Sequence, residues 1–194
     1  MTFFLQLLLR VFVPLIAVPW AAWHERKILR NGVPLDTVSL DDARHIGVRE
    51  PEKVRLLHVE RIPFFNSRFL HALSKFFPQI TPHTIGLSLR HGIYLRKNIP
   101  ASRLRQLIAH ELVHTTQYEA RNSLSRFLID YFDDCLRSGY AESNFEREAD
   151  QKSQFLSDHP QETGEFQNIR SLFTPVNLKD RGHSIAEAAH DEPN

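Results

Sequence analysis

Apolar positions crowd the front of the chain. From Phe3 to Trp23 it reads FFLQLLLRVFVPLIAVPWAAW, with Gln6 and Arg10 the only polar side chains in the 21 residues. As a helix this run measures about 31 Å, close to one hydrocarbon thickness. Three readings fit it: a membrane anchor or in-plane membrane helix, a hydrophobic helix packed on the protein's own core, or a cleaved signal. Arg10, Pro14 and Pro19 count against a simple span. A signal lacks support, because no Lys or Arg precedes the run and no small-x-small cleavage site ends it. Trp20 and Trp23 stand at the boundary like interfacial anchors, and Arg26, Lys27 and Arg30 follow. Membrane association through residues 3–23 is therefore the expectation, and the positive-inside rule would leave the rest of the chain in the cytoplasm.

Beyond this segment (1–23) the pattern becomes that of a folded domain. Residues 24–50 read as a charged connector punctuated by Asn31-Gly32 and Pro34. Val54 to Ile62 has strand composition, and residues 64–77 form an apolar-periodic stretch that predicts a short helix before Pro78. Ile85 to Arg90 alternates with period two, and His91-Gly92 separates it from Ile93 to Lys97, which predicts a hairpin. A helix runs from after Pro100-Ala101-Ser102 to about Glu119, a second from Ser123 to Arg137, and a third opens at Ser143, with Glu146 in capping-box spacing. The order predicts an α+β fold, with a small, largely antiparallel sheet followed by helices, over residues 51–179. Residues 180–194 read as a mobile polar tail.

Composition narrows the classes of function. The chain has 194 residues, enough for one domain with a core of its own. Its 24 Lys and Arg against 23 Asp and Glu leave a net charge of +1, and no basic stripe suggests a nucleic-acid partner. The single cysteine, Cys135, excludes a disulfide scaffold and a CxxC zinc site, and reads as a small buried hydrophobe. Of the histidines, His24 and His45 lie in charged segments and read as solvated, and His58 reads as a paired strand residue.

The chemistry sits at residues 110–114, His-Glu-Leu-Val-His. Two histidines at i and i+4 project from one face of a helix and can share one Zn²⁺, while Glu111 lies beside that face, free to reach a water. In a chain with this composition the HExxH pattern arises by chance about 0.04 times. Leu104, Ile108 and Leu112 form an apolar stripe at helical spacing, with Leu107, His110, His114 and Gln117 along a neighbouring line. A zinc hydrolase needs a third protein ligand. Downstream, Glu146 and Asp150 are i and i+4 on one helical face, which suits Glu146 to bind metal and Asp150 to accept the outward N–H of a ligand histidine. Glu148 points elsewhere and is the lesser candidate.

HExxH followed by a helix carrying ExxxD resembles the glutamate-ligand zincins, the thermolysin-like and CAAX-prenyl-protease-like metallopeptidases. AHELVHTTQY, then GY, then E-x-E-A-D, is most similar to bacterial zincin-like domains. The resemblance covers residues from about 85 to 155. It implies a zincin-like fold with Zn²⁺ held by His110, His114 and Glu146, Glu111 as general base, Asp150 behind a ligand histidine, and the strand Ile93–Lys97 lining a peptide cleft. Those domains often carry Asn-Pro ahead of the glutamate segment, where this chain has Ser143-Asn144-Phe145. No counterpart of the thermolysin-like oxyanion histidine can be assigned. Tyr140 is the candidate for that role, with His91 and Tyr118 behind it, against the alternative of a buried tyrosine closing a turn.

The expected activity is hydrolysis of peptide bonds in a peptide or protein substrate, by zinc-activated water with Glu111 as base. The alternatives are a zinc-binding zincin-fold module without hydrolytic activity, binding proteins at the membrane, and a membrane-associated adaptor with an accidental motif.

Overall fold

In the computed structural model the described residues are 11, 13–63 and 84–154. The helix expected over 64–77 and the tail at 180–194 lie outside them. Two compact units divide the chain, Met1–His159 and Pro160–Asn194, and everything below concerns the first.

A π-helical turn, Val13–Ala17, runs into helix α1, Val18–Asn31, which continues through the 23/24 position expected to separate hydrophobic segment from connector. Val13, Ala17, Ala21 and Ile28 are buried and belong to a core cluster that includes Tyr94, Tyr118, Phe127 and Leu128. One face of this segment is thus packed on the domain, as the packed-helix reading expects. No helix among the described residues is long and apolar enough to cross a membrane. His24 is not solvated: it is 6% exposed, wedged between the rings of Trp20 and Trp23, with Nδ1 2.9 Å from the Tyr94 hydroxyl. Burial, helped by the Lys27 charge, lowers its pKa to about 4.

Helix α2, Thr37–Ile46, starts on Asp36, whose carboxylate accepts from the Ser39 N–H at 2.7 Å, and stops at Gly47 in the left-handed region. Four strands follow the order β1-β2-β4-β3: β1 Val33–Pro34, β2 Arg55–Val59, β3 Gly86–Leu89 and β4 Gly92–Arg96. The fold is α+β, as expected. Two of the three pairings are antiparallel, whereas β2 and β4 run parallel, from Arg55 opposite Gly92 to Val59 opposite Arg96. A parallel neighbour needs a long connection, which the chain between Val59 and Gly86 supplies.

β4 lies in the middle of the sheet, so both of its edges are paired. Ile93 and Leu95 enter a cluster with Leu35, Ala43, Ile108 and Leu112, and Tyr94 enters the α1 cluster on the other face. The strand expected to line a cleft is therefore internal. Among the described residues the edge strands are β1 and β3, and β3 is the one that lies against Glu111.

The hairpin turn also differs from expectation. Leu89 pairs with Gly92, so the turn residues are Arg90 and His91, and Gly92 belongs to β4. Two contacts explain the shift. A Cβ at Gly92 would meet Ile28 side-chain atoms at 3.0 Å, so the glycine is needed where α1 crosses the sheet. Arg90 takes the left-handed conformation, φ 58°, with its guanidinium bound to Glu25 by two hydrogen bonds of 2.8 and 2.9 Å.

Three helices complete the unit: α3 Ala101–Arg121, α4 Leu124–Ser138 and α5 Asn144–Gln154. Ile108 and Leu112 of α3 are buried with Leu104 packed beside them, which is the stripe expected from the sequence. Arg105 binds Asp42 through two bonds of 2.9 Å, tying α3 to α2. Ser123 caps α4 by accepting from the Arg126 N–H.

Candidate functional site

α3 and α5 pack against each other and bring the two halves of the motif together. At the start of α5 the Ser143 hydroxyl accepts from the Glu146 N–H at 3.2 Å, half of a capping box. The reciprocal half is absent, because the Ser143 N–H donates to the Tyr140 carbonyl instead. The Glu146 side chain, 4% exposed, is turned toward α3. Its Oε2 lies 3.4 Å from His110 Nε2, and its Oε1 3.4 Å from His114 Nε2. One ligand atom from each of the three residues lies within 4.8 Å of the others, so the group could hold a metal ion.

The donor set fits zinc. Two imidazole nitrogens and one carboxylate oxygen are a usual set for a three-ligand site, and a tetrahedral ion with bonds of about 2.0–2.2 Å holds its ligand atoms about 3.3–3.6 Å apart. Each imidazole meets its own Glu146 oxygen at 3.4 Å, within that range, so the carboxylate would face the ion with both oxygens.

The outward ring nitrogens are also engaged. His110 Nδ1 lies 3.0 Å from Asp150 Oδ1, and His114 Nδ1 lies 2.8 Å from Gln117 Oε1. Gln117 in turn donates through Nε2 to the Phe145 carbonyl at 3.0 Å and to Glu148 at 2.9 Å. Glu148 faces Gln117 and Lys152, not the cluster of Nε2 atoms.

Glu111 sits against β3. Its carboxylate accepts a hydrogen bond from the Ser88 backbone, and Oε2 is buried with no hydrogen-bond partner. A Cβ on Gly86 would come within 2.8 Å of Glu111 Cδ, and closer still to Oε1, so glycine is required there to leave the carboxylate room. Burial is the main reason the Glu111 pKa rises to about 7; the nearby Glu146 charge adds to the rise and His110 opposes it. For Glu146 burial works against ionisation, but bonding to His110, the His114 charge and the Tyr131 hydroxyl outweigh it and hold the carboxyl low. His110 is shifted up despite its burial, because three carboxylates surround it, whereas burial dominates at His114 and moves it down. Glu111 thus leaves one buried carboxylate oxygen without a hydrogen-bond partner, close enough to His110 and Glu146 for their charges to act on it.

Tyr140 is 40% exposed and hydrogen-bonded to Glu146, with burial of its hydroxyl pushing its pKa up. Tyr118 and His91 are not at the site. Tyr118 is buried in the core against Phe127, ring centroids 3.6 Å apart, and His91 pairs with Glu119 at 3.1 Å near the hairpin turn.

Two neighbours carried no assigned role in the sequence. Gln117 is one. The other is Tyr131 of α4, whose hydroxyl donates to Glu146 Oε1 at 2.6 Å and whose ring meets His114 edge-on, centroids 6.1 Å apart. Its signal is faint: a polar tip in the i, i+4 row Phe127, Tyr131, Cys135. Cys135 is buried, as expected. Compared with known protein families, with curated proteins and with solved structures, the chain matches none.

Proposed function

We propose that the protein is a zinc-dependent metallopeptidase in which His110, His114 and Glu146 hold the ion and Glu111 is the general base. The observation that carries this reading is the convergence of His110 Nε2 and His114 Nε2 on Glu146, each at 3.4 Å, together with a buried Glu111 Oε2 that has no hydrogen-bond partner. When bound, zinc supplies Lewis acidity, which polarises a carbonyl and brings the pKa of water to about 7.

The chain's own groups do the remainder. Glu111 Oε2 takes a proton from the water that attacks the scissile carbonyl carbon. It returns that proton to the leaving nitrogen as the C–N bond breaks, ending ionised as it began. Tyr140, the partly exposed phenol of the two on Glu146, has one O–H, which rests on that carboxylate and would swing from it to the developing oxyanion, while buried Tyr131 orients the Glu146 carboxylate. Asp150 and Gln117 hold the His110 and His114 rings with Nδ1 outward. The unpaired edge of β3, beside Glu111, is where an extended peptide would add as a strand.

Metal analysis of the purified protein tests the ligand set. Wild type should carry one zinc per chain. His110→Ala, His114→Ala and Glu146→Ala should each lose most of it, whereas Glu148→Ala, which gives up bonds to Gln117 and Lys152 only, should keep it. Zinc lost with Glu148→Ala and kept with Glu146→Ala would overturn the assignment.

A further inference from the structure

The packed face of the N-terminal helical segment leaves its other face open. Six of the eight exposed large hydrophobics among the described residues fall between Val11 and Val33, and Leu15 and Trp23 are the most exposed, at 70% and 57%. Val11, Leu15 and Trp23 follow one another at four- and eight-residue spacing, so they share a side opposite Val13, Ala17, Ala21 and Ile28. Exposed Arg26, Lys27 and Arg30 follow in the next two turns, and Lys27 Nζ lies 5.7 Å over the Trp23 ring. The only acid between Val11 and Asn31 is Glu25, which is 3% exposed and consumed by Arg90. This surface therefore presents apolar side chains, then a tryptophan, then three cations, with no exposed carboxylate among them.

We propose that this face docks on an anionic lipid bilayer, with Val11, Leu15 and Ile16 entering the acyl boundary, Trp23 at headgroup level, and Arg26, Lys27 and Arg30 against anionic headgroups. Charge complementarity favours this occupant: exposed apolar side chains, an interfacial tryptophan and three cations with no exposed carboxylate are what a helix lying in the interface presents to anionic headgroups and the acyl boundary beneath them. The sequence ahead of Val11 adds Phe3, Phe4, Leu5, Leu7, Leu8 and Leu9 to the same end of the chain. Because α1 is at once packed on the sheet and open on its other side, the domain would lie on the bilayer and not hang from a spanning helix. This inference does not depend on the metal reading.

The test is co-sedimentation of the full chain with vesicles of phosphatidylcholine alone and of phosphatidylcholine with about 30 mol % phosphatidylserine. Wild type should bind the anionic vesicles at least about tenfold more tightly than the neutral ones, and added salt should remove that difference. Replacing Arg26, Lys27 and Arg30 by Gln together should cost about 10²-fold on anionic vesicles, since each cation near such a surface contributes roughly fivefold. Leu15→Asn combined with Trp23→Asn should weaken binding to both vesicles. Zinc content should stay at the wild-type level in both variants, and the thermal midpoint in the Gln variant; Trp23 is one wall around His24, so Leu15→Asn alone, which should also weaken binding, is the folding control for the apolar pair. Equal binding to both vesicle types, or wild-type binding by either variant, overturns the proposal. So does failure of wild type to bind vesicles, including the case of a dimer in solution that Leu15→Asn with Trp23→Asn makes monomeric, which would assign the face to a second copy.

Discussion

His114 Nδ1 and Gln117 Oε1, three residues apart on α3, lie 2.8 Å from each other. The Gln117 amide cannot turn round, because both of its donors are used, one on the Phe145 carbonyl and one on Glu148. Its oxygen must face His114, so His114 carries its proton on Nδ1 and offers the Nε2 lone pair toward Glu146. Gln117 also reaches the backbone residue just before Glu146, so one side chain sets a ligand's tautomer and ties its helix to that of the third ligand.

Gln117→Met, similar in length and without hydrogen-bonding groups, should lower zinc affinity about 10–100-fold, measured by competition with a chelator. In metal-free protein the ¹⁵N shifts of His114 should change from a single Nδ1–H tautomer to a mixture. A purely structural role would lower the melting temperature and leave the tautomer alone.

The two phenols on Glu146 should separate by readout. Tyr131→Phe removes the 2.6 Å bond that orients the carboxylate and should weaken zinc binding. Tyr140→Phe should leave zinc content near wild type and lower the rate of cleavage about 10²-fold, the scale of a lost oxyanion donor. Identical effects of the two substitutions on both measurements would contradict the division of roles.

Stability should fall as His24 is forced to charge. Its folded pKa, about 4, lies below the ordinary value of 6.5, so the unfolded chain binds the proton more tightly. Its contribution is complete above about pH 6.5 and is lost as pH falls toward 4, by about 2 kcal/mol at pH 4.5. Urea unfolding at pH 7 and pH 4.5 checks this. The difference in unfolding free energy between the two pH values should shrink by about that amount in His24→Phe. An unchanged difference would show that His24 does not resist protonation.

Much of the site is legible in the chain because it is local. His110, Glu111 and His114 share one helix, and the spacing of Glu146 and Asp150 places both on one face of α5, next to His110 in space. Helix limits came within a residue or two, since Pro100 and Ser123 mark the starts of α3 and α4. What was not legible depends on long-range pairing. Periodicity does not say that β4 inserts between β2 and β3, so it could not show that β4 is internal and that β3 is the strand against Glu111. The charged neighbours of His24 argued for solvent, but α1 rests on the sheet and its buried side takes His24 to Tyr94. The turn moved to Arg90-His91 because Gly92 lies under Ile28, a contact between residues 64 positions apart. Tyr131 and Gln117 look like ordinary helix residues until α4 and α5 are packed against α3.

The central claim is that Glu111 is a base and not a ligand. Glu111→Gln keeps the shape and the hydrogen bonding of the side chain but cannot take a proton at neutral pH. The direct measurement is cleavage of an unbiased peptide library by wild type and by Glu111→Gln, with zinc determined on the same samples. The account predicts chelator-sensitive cleavage by wild type, a loss of at least about 10²-fold in Glu111→Gln, and equal zinc in both. Equal cleavage by the two proteins, or stoichiometric zinc with no cleavage by wild type, would contradict it.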